Sequence, residues 1–174
     1  MPEELTLRLP RLEEEQEFLL AHRATTPEQP SFLHDYEEGI SFARYLELLD
    51  ERARGLGLVS DQVPATFLFA FVGRRIVGRV SIRHRLNAKL ERLGGHIGYV
   101  VVPEFRRRGY ASAMLRQALQ LASELGLRRA LLTCDDDNRG SIKVIERNGG
   151  VLENVITDAD LATPKRRYWI RLAP

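Results

Sequence analysis

The chain has 174 residues, of which 44% are hydrophobic and 29% charged, a balance that excludes both a disordered chain and a membrane-embedded one. At this length one soluble domain, spanning residues 1–174, can bury roughly two thirds of its unfolded surface without staples. A net charge of +2 excludes a general polyanion-binding face, so no nucleic-acid or membrane partner is expected.

A single cysteine cannot form an internal disulfide. The opening Met-Pro-Glu-Glu lacks the basic and apolar regions of a secretory signal, and the apolar stretch Phe67 to Val72 is too short to span a bilayer. A reducing, cytoplasmic setting is the expectation. No repeat, low-complexity segment or long linker divides the chain.

In chain order, Leu5-Thr6-Leu7-Arg8-Leu9 alternates as a first strand. Leu12–Arg23 and Phe42–Arg54 read as helices joined by a proline-containing loop, Thr25 to Gly39, long enough to suggest a function. Its Asp35, Glu37 and Glu38 could receive a cationic amine or simply solvate the connection. Thr66–Val72 and Arg75–Arg83 predict a hairpin about Gly73-Arg74. Residues 97–102, almost all apolar and stopped by Pro103, predict a central strand buried on both faces. Ala111, Met114, Leu115, Ala118, Leu119, Ala122 and Leu125 then mark an amphipathic helix closing at Gly126. Ala130–Cys134 is a second buried strand, so strand, helix and strand imply a right-handed parallel crossover. A short helix carrying Ile142 and Ile145 stops at Asn148-Gly149-Gly150, with Asn138 at or near its N-cap. Strands near Val151–Val155 and Arg167–Leu172 close the chain.

Arg106-Arg107-Arg108-Gly109-Tyr110-Ala111 stands between the central strand and its helix. Three cations at the positive end of a helix dipole are unfavourable by themselves, so the turn points to a bound anion. A glycine admits close approach of phosphate oxygens and the free N–H groups point at them, the physics of a diphosphate site. Neither the Walker A nor the dinucleotide glycine spacing is present.

Val102, Pro103, Arg106, Gly109 and Ala111 resemble the acyl-CoA loop of the GNAT N-acetyltransferases, and Asn138, Ser141, Glu146 and Gly149 match the family's second motif in register. The resemblance covers residues 96–150 and implies an α/β fold: a mixed, mostly antiparallel central sheet with a parallel strand–helix–strand unit and flanking helices. It further implies transfer of an acetyl group from acetyl-CoA to a primary amine by direct attack, with no metal. The acceptor is a small-molecule or peptide amine, and a homodimer through the last strands is possible. The pyrophosphate would rest on Arg106, Arg107, Arg108, Gly109, Tyr110, Ala111 and Ser112. Pantetheine would pair with the backbone of Tyr99, Val100, Val101 and Val102, with Asn138 and Ser141 beside it or the leaving sulfur.

Such a transfer needs a deprotonated amine, a donor for the oxyanion and a stabilised thiolate. Gly98 marks either a bulge that frees an N–H for the thioester oxygen or a tight packing contact. His96, at the start of the central strand, is the first candidate base and His84 the second; either could equally be structural. The tyrosine with which family members often protonate the thiolate is replaced by Ile145 or Val144, so no residue is assigned to that step. That departure keeps open a non-catalytic acyl-CoA-binding module as the alternative. Asp135-Asp136-Asp137 reads as a solvated acidic turn able to accept a proton, Glu104 as a turn acid balancing the arginines, and Cys134 as buried core. Of Tyr168-Trp169, one residue at most can line an acceptor pocket.

Overall fold

In the computed structural model, which describes residues 4–33, 36–37 and 39–173, hydrophobic alternation and turn chemistry build two antiparallel sheets. β1 (Leu5–Arg8), β2 (Ala65–Val72), β3 (Arg75–Arg83) and β4 (Ile97–Val101) form one, in that order; β5 (Arg129–Asp135), β7 (Lys165–Arg171) and β6 (Val151–Ile156) form the other. The central hairpin turns at Gly73, whose φ of 56° suits glycine. Leu12–Glu14 forms a short 3-10 turn, with α1 (Glu15–Thr25) following it. The predicted first helix is thus divided: Glu14 accepts from the Arg11 N–H at 2.7 Å and pairs with Arg8, and these contacts define the start of the turn.

α1 and α2 (Phe42–Ala53) cover one face of the four-stranded sheet. Phe18 meets Phe42, Tyr45 and Phe69 with ring centroids 4.7–5.5 Å apart, in a core that also holds Phe32, Phe67 and Val102. α3 (Tyr110–Glu124) covers the other face, and α4 (Arg139–Arg147) packs against α3 and β5. Met114, Leu115, Ala118 and Ala122, at the predicted helical spacing, are fully buried against Val80, Ile82, Ile97, Leu132 and Ile145. Gly126, at φ 89°, ends α3 as read from the sequence.

Between the sheets the structure departs from expectation. β4 and β5 run side by side after the α3 crossover yet share no ladder. They touch at one end, where the His96 N–H donates to Leu131 O at 2.6 Å and the Leu131 N–H donates to His96 Nδ1 at 2.9 Å. A Cβ on Gly95 would lie 2.4 Å from Leu131 O, and φ 67° with ψ −176° is a glycine conformation. The strands are pinned there and part toward the N-terminus of α3. Beyond Ile97, β4 is therefore half-buried rather than buried on both faces, because one edge opens on the gap.

Candidate active site

The gap is a cleft of about 190 Å³. Ile97, Gly98 and Tyr99 form one wall, Leu132, Thr133, Cys134 and Asp135 the other, with Asn138, Ser141 and Lys165 at the rim. Two hydrogen bonds set the phase of β4. The Arg83 N–H donates to His96 O at 2.7 Å and the Val102 N–H donates to Val77 O at 2.9 Å. In an antiparallel pair the alternation then turns the peptide groups of Gly98 and Val100 toward β3 and those of Tyr99 and Val101 into the cleft. The ladder passes Ser81 opposite Gly98 without a register shift. The bulge expected at Gly98 is absent, and its N–H faces β3. The tight packing contact fits better: the Ser81 hydroxyl lies 3.1 Å from where a Cβ on Gly98 would stand. Of the four residues expected to pair with pantetheine, Tyr99 and Val101 turn their peptide groups to the cleft, where Val101 O already accepts from Arg106 Nε at 3.4 Å, whereas Val100 and the buried Val102 turn theirs inward.

The basic turn lies at the wide end of the cleft. Gly109 caps α3 at φ 85°, with open space where a side chain would project. The N–H groups of Tyr110 and Ala111 stand in the first turn, where no helical carbonyl precedes them, while Ser112 and Ala113 donate to Gly109 O. Arg106 reaches across to Glu28 at 2.5 Å, Arg107 takes a left-handed φ of 63°, and the Arg108 guanidinium lies 5.6 Å from the Phe105 ring centre. All three are exposed. Glu104 pairs with Arg75 instead of balancing this turn. At the other rim, Asn138 caps α4 by accepting from the Ser141 N–H at 3.0 Å, as its position in the sequence implied.

The two histidines lie toward the closed end of the cleft. His96 is 7% exposed, its Nδ1 lone pair is taken by the Leu131 N–H, and its ring packs 6.2 Å from Trp169. Burial, aided by Arg83 and Arg129, pushes its pKa down to about 4. The ring is a neutral clamp at the closed end of the cleft, and that nitrogen is not open to an amine. His84 is partly buried beyond the same end, within hydrogen-bond reach of the Thr66 hydroxyl through Nε2 at 2.8 Å, and burial lowers its pKa. Asp135 pairs with Lys165 and Asp136 with Arg166, so two of the three turn acids hold β5 to β7. Tyr168 is core, donating to Glu146 at 3.2 Å. Trp169 lies under Arg129 at 4.1 Å. Ile145 is buried against Gly150. On the loop between α1 and α2, Asp35 and Glu38 lie outside the described residues; Glu37 is exposed.

Three features of the site were not read from the sequence. Cys134 turns toward the cleft, and burial raises its thiol to about 11. Arg79, on the sheet face opposite α3, is 5% exposed and donates to Phe32 O at 2.5 Å and Ser31 O at 2.8 Å, stapling the loop between α1 and α2 to β3. The Tyr99 hydroxyl is buried in the cleft beside Ser141, with no acceptor for its proton among the described residues. Strand alternation from Val102 could have indicated where Tyr99 points. Nothing local marks Arg79, whose partners lie 47 and 48 residues away.

A splayed strand pair opening on the glycine-capped N-terminus of a helix gives an α/β domain with a strand edge and free N–H groups suited to an anion. The acetyltransferase (GNAT) family matches residues 20–150, and the chain belongs to that family. It is an acetyltransferase, with acetyl-CoA as the donor. A comparison with curated proteins finds no match by sequence. Among solved structures the fold is shared with the microcin C7 self-immunity acetyltransferase MccE in complex with acetyl-CoA and AMP, at 19% identity and TM-score 0.67 over 97% of this chain and 93% of that one. It is shared too with RimL, a ribosomal L7/L12 alpha-N-protein acetyltransferase in complex with CoA, at 18% identity and TM-score 0.68, over 97% and 94%. A GNAT-family acetyltransferase from Streptococcus pneumoniae gives 18% identity and TM-score 0.66, over 98% and 100%. Among the described residues no cluster of three or more His, Cys, Asp or Glu could hold a metal, and no helix is long and apolar enough to cross a membrane.

Proposed function

We propose that the protein acetylates a primary amine, of a small molecule or a peptide, by direct attack on acetyl-CoA lying in the β4–β5 cleft. The parting of the strands toward the N-terminus of α3 carries this reading: it leaves strand edge and helix end free in one line. The pyrophosphate rests on Arg106–Ser112, chiefly on the N–H groups around Gly109 to Ala111, with the three arginines adding charge. The pantetheine arm adds to the edge of β4 through the peptide group of Tyr99 and the N–H of Val101, whose carbonyl Arg106 holds. The Tyr99 N–H, rather than that of Gly98, then serves the oxyanion. Asn138 and Ser141 border the arm, and Cys134 faces the same space. It supports this placement that RimL was crystallised with its CoA in a disulfide to a cysteine.

Neither His96 nor His84 contacts the amine in this reading. His96 sets the cleft's closed end, and water takes the proton from the amine. The acceptor approaches the face of Gly98 and Ser81, beneath the loop that Arg79 holds. A homodimer through β6 is supported by its free edge and by exposed Val151, Leu152 and Val155. Calorimetric titration with acetyl-CoA, followed by thiol release against an amine panel, tests the function. Binding with turnover supports it. Binding without turnover on any amine favours the non-catalytic alternative, which nothing in the comparisons favours.

A further inference from the structure

A thioester exchanged for an amide releases a thiolate, and the residue position from which the family often protonates it is here the apolar Ile145. Yet the cleft holds a hydroxyl in want of an acceptor. Tyr99 points from β4 to the face that carries α3 and α4, packs at the edge of that core, and buries its Oη beside the Ser141 hydroxyl, with no acceptor for its own proton among the described residues. Buried polar groups in folded proteins are almost always paired, so an orphan donor at a ligand cleft points to a partner that arrives with the ligand. Along the cleft Tyr99 stands one residue from Gly98 and faces Cys134 and Ser141. The thioester passes through this part of the cleft if the diphosphate sits at Gly109.

We infer that the Tyr99 hydroxyl is the hydrogen-bond donor to the CoA sulfur, and that the departing thiolate takes its proton from it. The inference rests on the placement of acetyl-CoA in the β4–β5 cleft. As the amine nitrogen bonds to the acetyl carbon, the carbon–sulfur bond breaks and sulfur keeps the pair. The phenolic O–H proton passes to sulfur, and the phenolate regains a proton from solvent, the Ser141 hydroxyl lying beside it. The amine's lost proton balances the count. Burial raises the phenol to about 12, with Ser141 opposing. The same surroundings raise the neighbouring Cys134 thiol to about 11. A CoA thiolate in this cleft is likewise a stronger base than in water, which brings the two groups close enough for the proton to move. Tyr99 is the acid of β4 doing what a residue of α4 cannot.

The test needs no acceptor. The thiol of bound CoA is titrated by its thiolate ultraviolet absorbance in the wild-type protein and in Tyr99→Phe, with CoA lacking its sulfur as the blank that cancels Cys134. A hydrogen bond to the thiolate is expected to hold the bound thiol about one to two pH units lower in wild type than in Tyr99→Phe. Equal titration in the two proteins overturns the inference. Failure of wild type to bind CoA at all overturns instead the placement on which it rests. With an accepted amine in hand, Tyr99→Phe is expected to lose about 100-fold in kcat with acetyl-CoA. It should lose little with the seleno analogue, whose leaving group needs no proton. An equal loss with both donors marks a merely structural tyrosine and also overturns the inference.

Discussion

The clamp at the closed end of the cleft makes the protein acid-sensitive in a defined window. His96 is neutral in the fold because burial disfavours the imidazolium and its Nδ1 accepts from the Leu131 N–H. Its folded pKa of about 4 lies below the unfolded value of about 6.5. As pH falls through 6.5 the unfolded chain binds the proton first, so stability drops between about 6.5 and about 4 and this contribution levels off below. The two values differ by about 3 kcal/mol in free energy, which for a chain of this size lowers Tm by about 6 to 12 °C. Urea or thermal unfolding from pH 7.5 to 4 in wild type and His96→Asn isolates the effect from His22 and His84, whose pKa values burial also lowers. The asparagine carbonyl can accept from Leu131 yet does not titrate. The variant should therefore lose about 3 kcal/mol less than wild type across that window. Glu14, held at about 2 by Arg8, sheds its contribution as pH falls from about 4.5 toward about 2, alike in both proteins, so the comparison cancels it. Parallel losses in the two proteins would refute the clamp.

Three further outcomes follow from the site. In the absence of ligand, Tyr99→Phe removes a buried hydroxyl whose proton has no acceptor and should change stability by no more than about 1 kcal/mol in chemical denaturation; a larger loss would mean the hydroxyl already donates to a partner. Gly95→Ala brings a Cβ within 2.4 Å of Leu131 O at a backbone conformation reserved for glycine. It should cost about 3 kcal/mol in urea unfolding and weaken CoA binding, whereas a silent substitution would show that the strands are not pinned there. Ala111→Glu adds a negative charge in the first turn of α3, which suits the helix dipole but repels a diphosphate. Tm should hold or rise slightly while CoA affinity, read calorimetrically, falls at least about tenfold.

The sequence announced the order of elements well because each was encoded locally. The heptad-like spacing from Ala111 to Leu125 could form one kind of helix only, and Asn138 and Gly126 marked helix ends by their own backbone chemistry. The basic turn was legible for the same reason: cations at a helix N-terminus are a local contradiction that a ligand resolves. What stayed hidden depends on which way a strand faces and on distant partners. An apolar run from Ile97 to Val102 reads alike whether its neighbour is a strand or a gap, so burial on both faces was inferred where one edge of β4 is open. His96 carries the residue type of a base, but only the Leu131 contact reveals that its lone pair is spent. The Arg106–Glu28 pair joins residues 78 apart, a separation that no local pattern reports.

Acetyl-CoA binding to the folded wild-type chain, measured by calorimetry beside Ala111→Glu, tests the central claim most directly. One acetyl-CoA per chain, weakened at least tenfold by the substitution, is the predicted result. A folded wild-type protein that binds no acetyl-CoA, or a variant that binds it equally well, would contradict the placement of the donor between β4 and β5.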